Sequence, residues 1–262
     1  MSIEPELHLD TADLEARVKG IYEQVADNPS QEFHFETGRA LAERLGYPPW
    51  DLDQIPSAAV DSFAGVGYFH DLAALKPGER VLDLGSGSGT DSFLSSISVG
   101  ARGSVIGIDM TAAQLAKARR LAAEAGNLFD NIDFREGRIE SPAVEAGSMD
   151  CVISNGVINL APDKDIVFAA AADALRRGGR LVLSDIVTRS QMPETVTCDA
   201  SLWAACIGGA MRVESLMTSL DAAGFLVDTT RANDDYRFLS RRARKATDKY
   251  GVTSLSVLCH KA

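Results

Sequence analysis

Val81-Leu82-Asp83-Leu84-Gly85-Ser86-Gly87-Ser88-Gly89 is the stretch on which the reading of the fold turns. A short apolar run ahead of glycines fits a buried strand of a parallel sheet. The residues from about 89 to 99 then read as a helix. Loop glycines let the backbone come close to a ligand, and the helix behind them presents its free amide donors. Val105-Ile106-Gly107-Ile108-Asp109 reads as a second strand, whose closing acid stands 20 residues beyond Gly89. A carboxylate there can accept both hydroxyl protons of a ribose. Strand, glycine loop, helix, strand, acid is the order of a nucleotide site.

Toward the C-terminus the alternation continues. Thr111 opens a helix with Gln114 three residues on, the spacing of a capping box, and Gly126 ends it. Strands follow at 131–135, 150–154 and 180–184, with a helix over 163–176 stopped by Gly178-Gly179. The implied fold class is α/β, a doubly wound, mostly parallel sheet. A helical insertion around Cys198 to Cys206 interrupts the pattern after the fifth strand. A helix at 213–222, a strand at 225–230, a helix near 234–249 and a strand at 252–259 close the chain. The direction of that last strand is not readable from periodicity. Toward the N-terminus no strand is expected. Leu14, Val18, Ile21, Tyr22 and Val25 recur at spacings of three and four and predict a helix over 11–27. Helices near 36–45 and 57–75 follow, the latter weakened by Gly65 and Gly67. The chain thus divides into an N-terminal helical extension or lid, 1–75, and a nucleotide-binding domain, 76–262.

Composition narrows the partners. The 262 residues are 45% hydrophobic, enough for one sizeable core, and carry a formal net charge of -11. Such a surface repels phosphate backbones, so no nucleic acid is expected. The basic run Arg241-Arg242-Ala243-Arg244-Lys245 reads as a solvated helix face. Cys151, Cys198, Cys206 and Cys259 include no C-x-x-C pair, so neither a zinc knuckle nor a thioredoxin-type site is signalled. The acidic N-terminus is not a signal peptide, and no run approaches the roughly 20 apolar residues of a membrane helix. A cytoplasmic protein without membrane partners is the expectation; the oligomeric state is not readable.

A dinucleotide fingerprint, G-x-G-x-x-G/A, needs glycine or alanine at its sixth position; counted from Gly85 that position is Thr90. Asp83, just ahead of the loop, disfavours a pyrophosphate and suits the amino group of a methionine moiety through charge-assisted hydrogen bonds. A nicotinamide-dependent oxidoreductase is therefore disfavoured. At this point the sequence resembles a known group. Residues 81–89 look like motif I of the class I S-adenosylmethionine (SAM)-dependent methyltransferases, which have a Rossmann-like fold. Gly107-Ile108-Asp109-Met110-Thr111, the run from Ser154-Asn155-Gly156-Val157-Ile158-Asn159 to Lys164, Gly178-Gly179-Arg180, Cys206-Ile207-Gly208-Gly209-Ala210 and Lys249-Tyr250-Gly251-Val252 resemble one branch, the arsenite methyltransferases. The resemblance implies SAM as cofactor. Asp83, Gly85, Ser86 and Gly87 would hold its methionine part and Asp109 its ribose. Met110, Arg138 and Ile139 would border the adenine, with Gln114 beside them, and Asn155 and Val157 would line the sulfonium end.

In the arsenite enzymes, cysteine thiolates hold trivalent arsenic, whose lone pair attacks the methyl group; soft thiolates suit a soft centre. The family pattern places one cysteine after the loop, one after Ser-Asn and one before Ile-Gly-Gly-Ala. Here those positions hold Ser92, Gly156 and Cys206. Cys198, eight residues from Cys206, lies about 12 Å away along a continuous helix, too far for one arsenic atom to bridge. Cys206 is the candidate arsenic ligand, with Cys198 as a second thiol only if the helix breaks, and a small thiol such as glutathione as a helper. Cys151 and Cys259, inside strands, read as core residues. Tyr22, on a helix that can fold over the pocket, and His34, a general base at neutral pH, complete the catalytic candidates; Trp203 and Tyr68 read as core or substrate-pocket residues. The acceptor is a small molecule, arsenite or an oxygen, nitrogen, carbon or sulfur of an organic compound. A SAM-binding protein without activity is the remaining alternative.

Overall fold

The computed structural model describes residues 10–262 apart from 198–202, 204–206 and 240. The strands are β1 (Arg80–Leu84), β2 (Ser104–Asp109), β3 (Ile132–Glu136), β4 (Met149–Asn155), β5 (Leu175–Thr188), β6 (Met211–Arg212), β7 (Phe225–Ala232) and β8 (Thr253–Lys261). They form one sheet of order β3-β2-β1-β4-β5-β8-β7, with the short β6 pairing with β5. The pairs among β1 to β5 are all parallel. β8 is antiparallel to both its neighbours, β5 and β7, which settles its direction. The mostly parallel, doubly wound reading therefore holds.

Side chains alternate across the sheet. Leu82 and Leu84 join one buried layer with Ile106, Ile108, Val152 and Phe168. Val81 joins the other, with Val105, Cys151, Ile153, Val182 and Phe69. Asp83 has the parity of Val81 and is the polar residue near the end of that row. Cys151 and Cys259 are fully buried, and burial pushes both thiols up to about 12, far from nucleophilic form at neutral pH.

The helices are α1 (Thr11–Asp27), α2 (Arg39–Leu45), α3 (Pro49–Leu52), α4 (Ser57–Asp61), α5 (His70–Ala73), α6 (Thr90–Val99), α7 (Ala112–Glu124), α8 (Lys164–Ala174), α9 (Glu194–Thr197), α10 (Val213–Ala222) and α11 (Arg241–Tyr250). α1 runs over the span expected and is capped by Asp10, whose side chain accepts from the amides of Ala12 and Asp13. The helix expected over 57–75 is instead two short helices joined by an extended strap. Packing forces that break: a Cβ on Gly65 would lie 2.7 Å from Asn155 Nδ2, and one on Gly67 would lie 2.2 Å from Asn233 Nδ2. The last helix begins at Arg241 rather than near 234, and β5 begins at Leu175, where a helix tail was expected. Thr111 does cap α7 in position, but its side chain makes no capping bond and hydrogen-bonds to Asp109 instead, while Gln114 is turned into the cleft described below. Cys198 and Cys206 lie outside the described residues, and with them most of the expected helical insertion.

Candidate active site

The cleft forms where the parallel strands end. Gly85, Gly87 and Gly89 take φ values of +79°, +53° and +97°, a left-handed backbone that glycine alone enters without strain. Gly85 also leaves no room for a side chain: its Cβ would come within 2.4 Å of Val157 Cγ2. The loop wraps one wall of a cleft enclosing about 1120 Å³, the open solvent at its mouth included. Asp83, Gly85, Ser86, Gly87, Asp109, Met110, Gln114, Arg138, Ile139, Asn155 and Val157 all line it, which brings every expected cofactor residue to one place.

Three buried carboxylates line this cleft, and each is held differently. Asp109 Oδ2 accepts the Gly87 amide at 2.9 Å and Oδ1 the Thr111 amide at 2.8 Å, which fixes the carboxylate while lone pairs remain for hydroxyl donors. Burial raises its pKa against those two amides. Asp83 accepts a hydrogen bond from the Ser92 hydroxyl at 2.6 Å. Burial, and then the neighbouring charge of Asp91, push the Asp83 carboxyl up to about 8. A group so destabilised as an anion favours a cationic neighbour such as an ammonium. Asp91, in the first turn of α6, is held by three side chains. Tyr47 donates its hydroxyl to Oδ1 at 2.6 Å, His70 Nε2 lies 2.9 Å from the same oxygen, and Asn155 Nδ2 donates to Oδ2 at 3.1 Å.

Asn155 also staples the strap to the sheet. Its Oδ1 accepts the Val66 amide at 2.8 Å, and its Nδ2 donates to the Gly67 carbonyl at 3.0 Å. Gln114 accepts a hydrogen bond from Ser88 of the loop and donates to the Tyr22 carbonyl at 2.9 Å, tying α1 to the loop. Arg138 reaches Glu15 of α1 at 2.5 Å. Thr11, Leu14, Glu15, Val18 and Tyr22 accordingly form part of the cleft lining. His34 does not line the cleft; it packs edge-on against Phe35. Tyr68 packs against Tyr47, and Trp203 is buried with the Lys164 ammonium 4.4 Å above its ring, so neither lines the cleft.

The cleft fits a ligand with a zwitterionic end. Ser86 Oγ is buried on its wall with no hydrogen-bond partner among the described residues, a donor left for an incoming carboxylate. It stands on the same loop that follows Asp83. The two lost thiol positions have structural reasons. Ser92 is fully buried beneath Asp83 and is not on the cleft wall. Gly156 lines the cleft at φ +73°, and a Cβ there would meet Val66 Cγ1 at 3.1 Å. Asp91, Tyr47 and His70 escaped the sequence-based reading. The one available signal was an acid in the first turn of a helix whose residues from Thr90 to Ser96 are otherwise apolar or small, where only a paired carboxylate survives burial.

Comparison with known proteins agrees with this geometry. The model of a methyltransferase domain family matches residues 75–224. The chain belongs to this family. Its fold is that of the class I SAM-dependent methyltransferases. An arsenite methyltransferase from Halobacterium salinarum is 42% identical over 208 residues, 78% of this chain and 52% of the relative. Another from Aquipseudomonas alcaligenes is 46% identical over 202 residues, 74% of this chain and 57% of the relative. Among solved structures, an arsenic(III) SAM methyltransferase from Chlamydomonas reinhardtii superposes with a TM-score of 0.64 at 28% identity, covering 86% of this chain and 74% of that one. The chain spans only about half the length of these two curated relatives. No helix among the described residues is long and apolar enough to cross a membrane.

Proposed function

We propose that the protein transfers the methyl group of SAM to trivalent arsenic held by thiols. The observation that carries this reading is the 42% identity to an arsenite methyltransferase over 208 residues, 78% of this chain. In this reading Asp83 and Ser86 receive the amino and carboxylate groups of the methionine part, and Asp109 the ribose hydroxyls. Met110, Ile139 and Arg138 border the adenine. When bound, SAM supplies a sulfonium-activated methyl group and leaves as a neutral thioether. The protein's own contribution is alignment and exclusion of water, with Tyr22 and its helix closing one side of the cleft. Cys206 serves as the protein's arsenic ligand, and glutathione or a similar thiol completes the set, since Ser92 and Gly156 supply none. A thiol-dependent reaction of this kind suits the reducing cytoplasm.

Incubating the protein with SAM, arsenite and glutathione, then separating arsenic species by chromatography with elemental detection, tests this. Methylated arsenic from the native protein, reduced to background by Cys206→Ser, is expected; equal output from both would sink the role of Cys206.

A second reading has its own observation. Ser92 is committed to Asp83, and Gly156 has a left-handed backbone, so two of the three thiol positions are structurally closed. Methylation of a small organic acceptor is consistent with that. Turnover of such a compound together with arsenite affinity that does not depend on Cys206 would favour it.

A further inference from the structure

Asp91 has no part in the assignments above, yet it lines the cleft and is held by side chains distant in sequence, where Asp109 is held largely by nearby amides. Its three side-chain partners come from two regions of the chain. Tyr47 and His70 belong to the N-terminal block and Asn155 to the end of β4. Tyr47 is itself fixed from a second side, since Asn155 Nδ2 also donates to its hydroxyl at 3.0 Å. Tyr47 is almost entirely buried, and burial and the Asp91 charge raise its pKa well above the usual phenol value, so it acts as a donor here. A carboxylate that receives donors on both oxygens has the pattern of a fixed anion. Among the described residues no lysine or arginine pairs with Asp91; its ionisable partners are His70 and Tyr47. The carboxyl group nearest in charge to it is Asp83, which burial and the Asp91 charge push up to about 8, so Asp91 faces a protonated neighbour at neutral pH. The charge is thus held in place with much of its balance left to whatever enters the cleft.

We propose that Asp91 is a specificity-determining residue that makes the cleft prefer the positively charged donor, SAM, over its neutral product, S-adenosylhomocysteine. The inference rests on SAM being the donor and is independent of the acceptor. Donor and product carry the same methionine ammonium and carboxylate, the same ribose and the same adenine. They differ in the sulfonium charge. A fixed anion beside Asn155 acts on that difference, whereas Asp83 and Asp109 meet groups common to both. Near-surface charge pairs a few ångström apart differ in energy enough to change affinity on the order of tenfold. The consequence is functional: loss of the sulfonium charge on transfer weakens the hold on the product and favours its exchange.

Isothermal titration of the whole protein with SAM, S-adenosylhomocysteine and sinefungin, which carries an ammonium group where SAM has its sulfonium, tests the proposal. Asp91→Asn removes the charge and keeps the size; Asp91→Ser is the second neutral variant, and thermal melting establishes which of them is folded. The folded variant is expected to lose on the order of tenfold in SAM and sinefungin affinity and less than about threefold for S-adenosylhomocysteine. Asp91→Glu, which restores the charge, is expected to keep the native ratio of SAM to product affinity. Equal weakening of all three ligands, or an unchanged ratio in the neutral variants, would overturn it. Failure of the native protein to bind any of the three would instead count against SAM as donor.

Discussion

Gly85 and Gly156 are both left-handed glycines on the wall of one cleft, at φ +79° and +73°, and they end neighbouring strands. Their meanings are opposite. Gly85 belongs to a loop in which every buried polar group has a partner or a place for one: Asp83 below it, Ser86 on it, Asp109 across from it. Gly156 stands where the resembled family places a thiol, and its backbone and Val66 leave a side chain little room. In the proposed function, the donor half of the cleft has its expected residues in place, whereas in the acceptor half Gly156 carries no thiol and Ser92 lies beneath Asp83, off the cleft wall. A shared fold does not by itself carry the chemistry at the far end of the site.

The largest expected effect would break the donor half. Gly85→Val puts a branched side chain at a left-handed backbone and against Val157. Strain and overpacking of that kind cost a few kcal/mol, so SAM affinity is expected to fall on the order of a hundredfold or more, measured by calorimetry. Asp109→Ala removes the acceptor proposed for the ribose hydroxyls, and a loss of about ten- to a hundredfold is expected in the same titration. If either variant bound SAM normally, the cleft would not be the donor site.

The next effect concerns pH. The Asp83 carboxyl sits near pKa 8 in the empty protein, against about 3.9 in an unfolded chain. Between those values the folded state keeps a proton that the unfolded state releases. Stability therefore falls as pH rises from about 4 to about 8, and levels off above that. Asp185, raised by burial to about 6, acts in the same direction below that pH, as does Asp109. Asp83→Asn is expected to flatten the slope between pH 6 and 8, read from denaturant titrations at each pH. An unchanged slope would show that Asp83 is already ionised when the cleft is empty.

The smallest effects sharpen the acceptor half. Ser92→Cys restores a family thiol but withdraws the strong donor from a buried carboxylate, and is expected to destabilise by about 1–2 kcal/mol without adding arsenite affinity. Gly156→Cys is expected to cost about 1–2 kcal/mol for the left-handed backbone, with a shift of Val66. Thermal melting and arsenite titration check both. A gain in arsenite affinity from Ser92→Cys at native stability would mean that the position faces the acceptor after all.

The donor half was legible because its signals are local. A strand, alternate glycines and an acid at the end of the next strand are contiguous patterns set by backbone geometry; they pointed to Asp83, the loop and Asp109, the family resemblance added the others, and all eleven line one cleft. The breaks in the reading came from contacts distant in sequence. Gly65 and Gly67 looked like weak points of a helix, but side chains 90 and 166 residues away, Asn155 and Asn233, require them to be glycine in an extended strap. Thr111 and Gln114 had the spacing of a capping box, yet Gln114 bonds to Ser88 and to the Tyr22 carbonyl. Tyr47, His70 and Asp91 meet from 21 to 44 residues apart, with no periodicity to announce it.

The donor cleft is expected to be sufficient by itself. Titrating the protein with SAM in the absence of any acceptor or added thiol tests this directly, with NAD as a parallel ligand. One-site binding of SAM that survives Cys206→Ser, is lost in Gly85→Val and is not matched by NAD is the predicted result. No SAM binding, or SAM binding that requires Cys206, would contradict it.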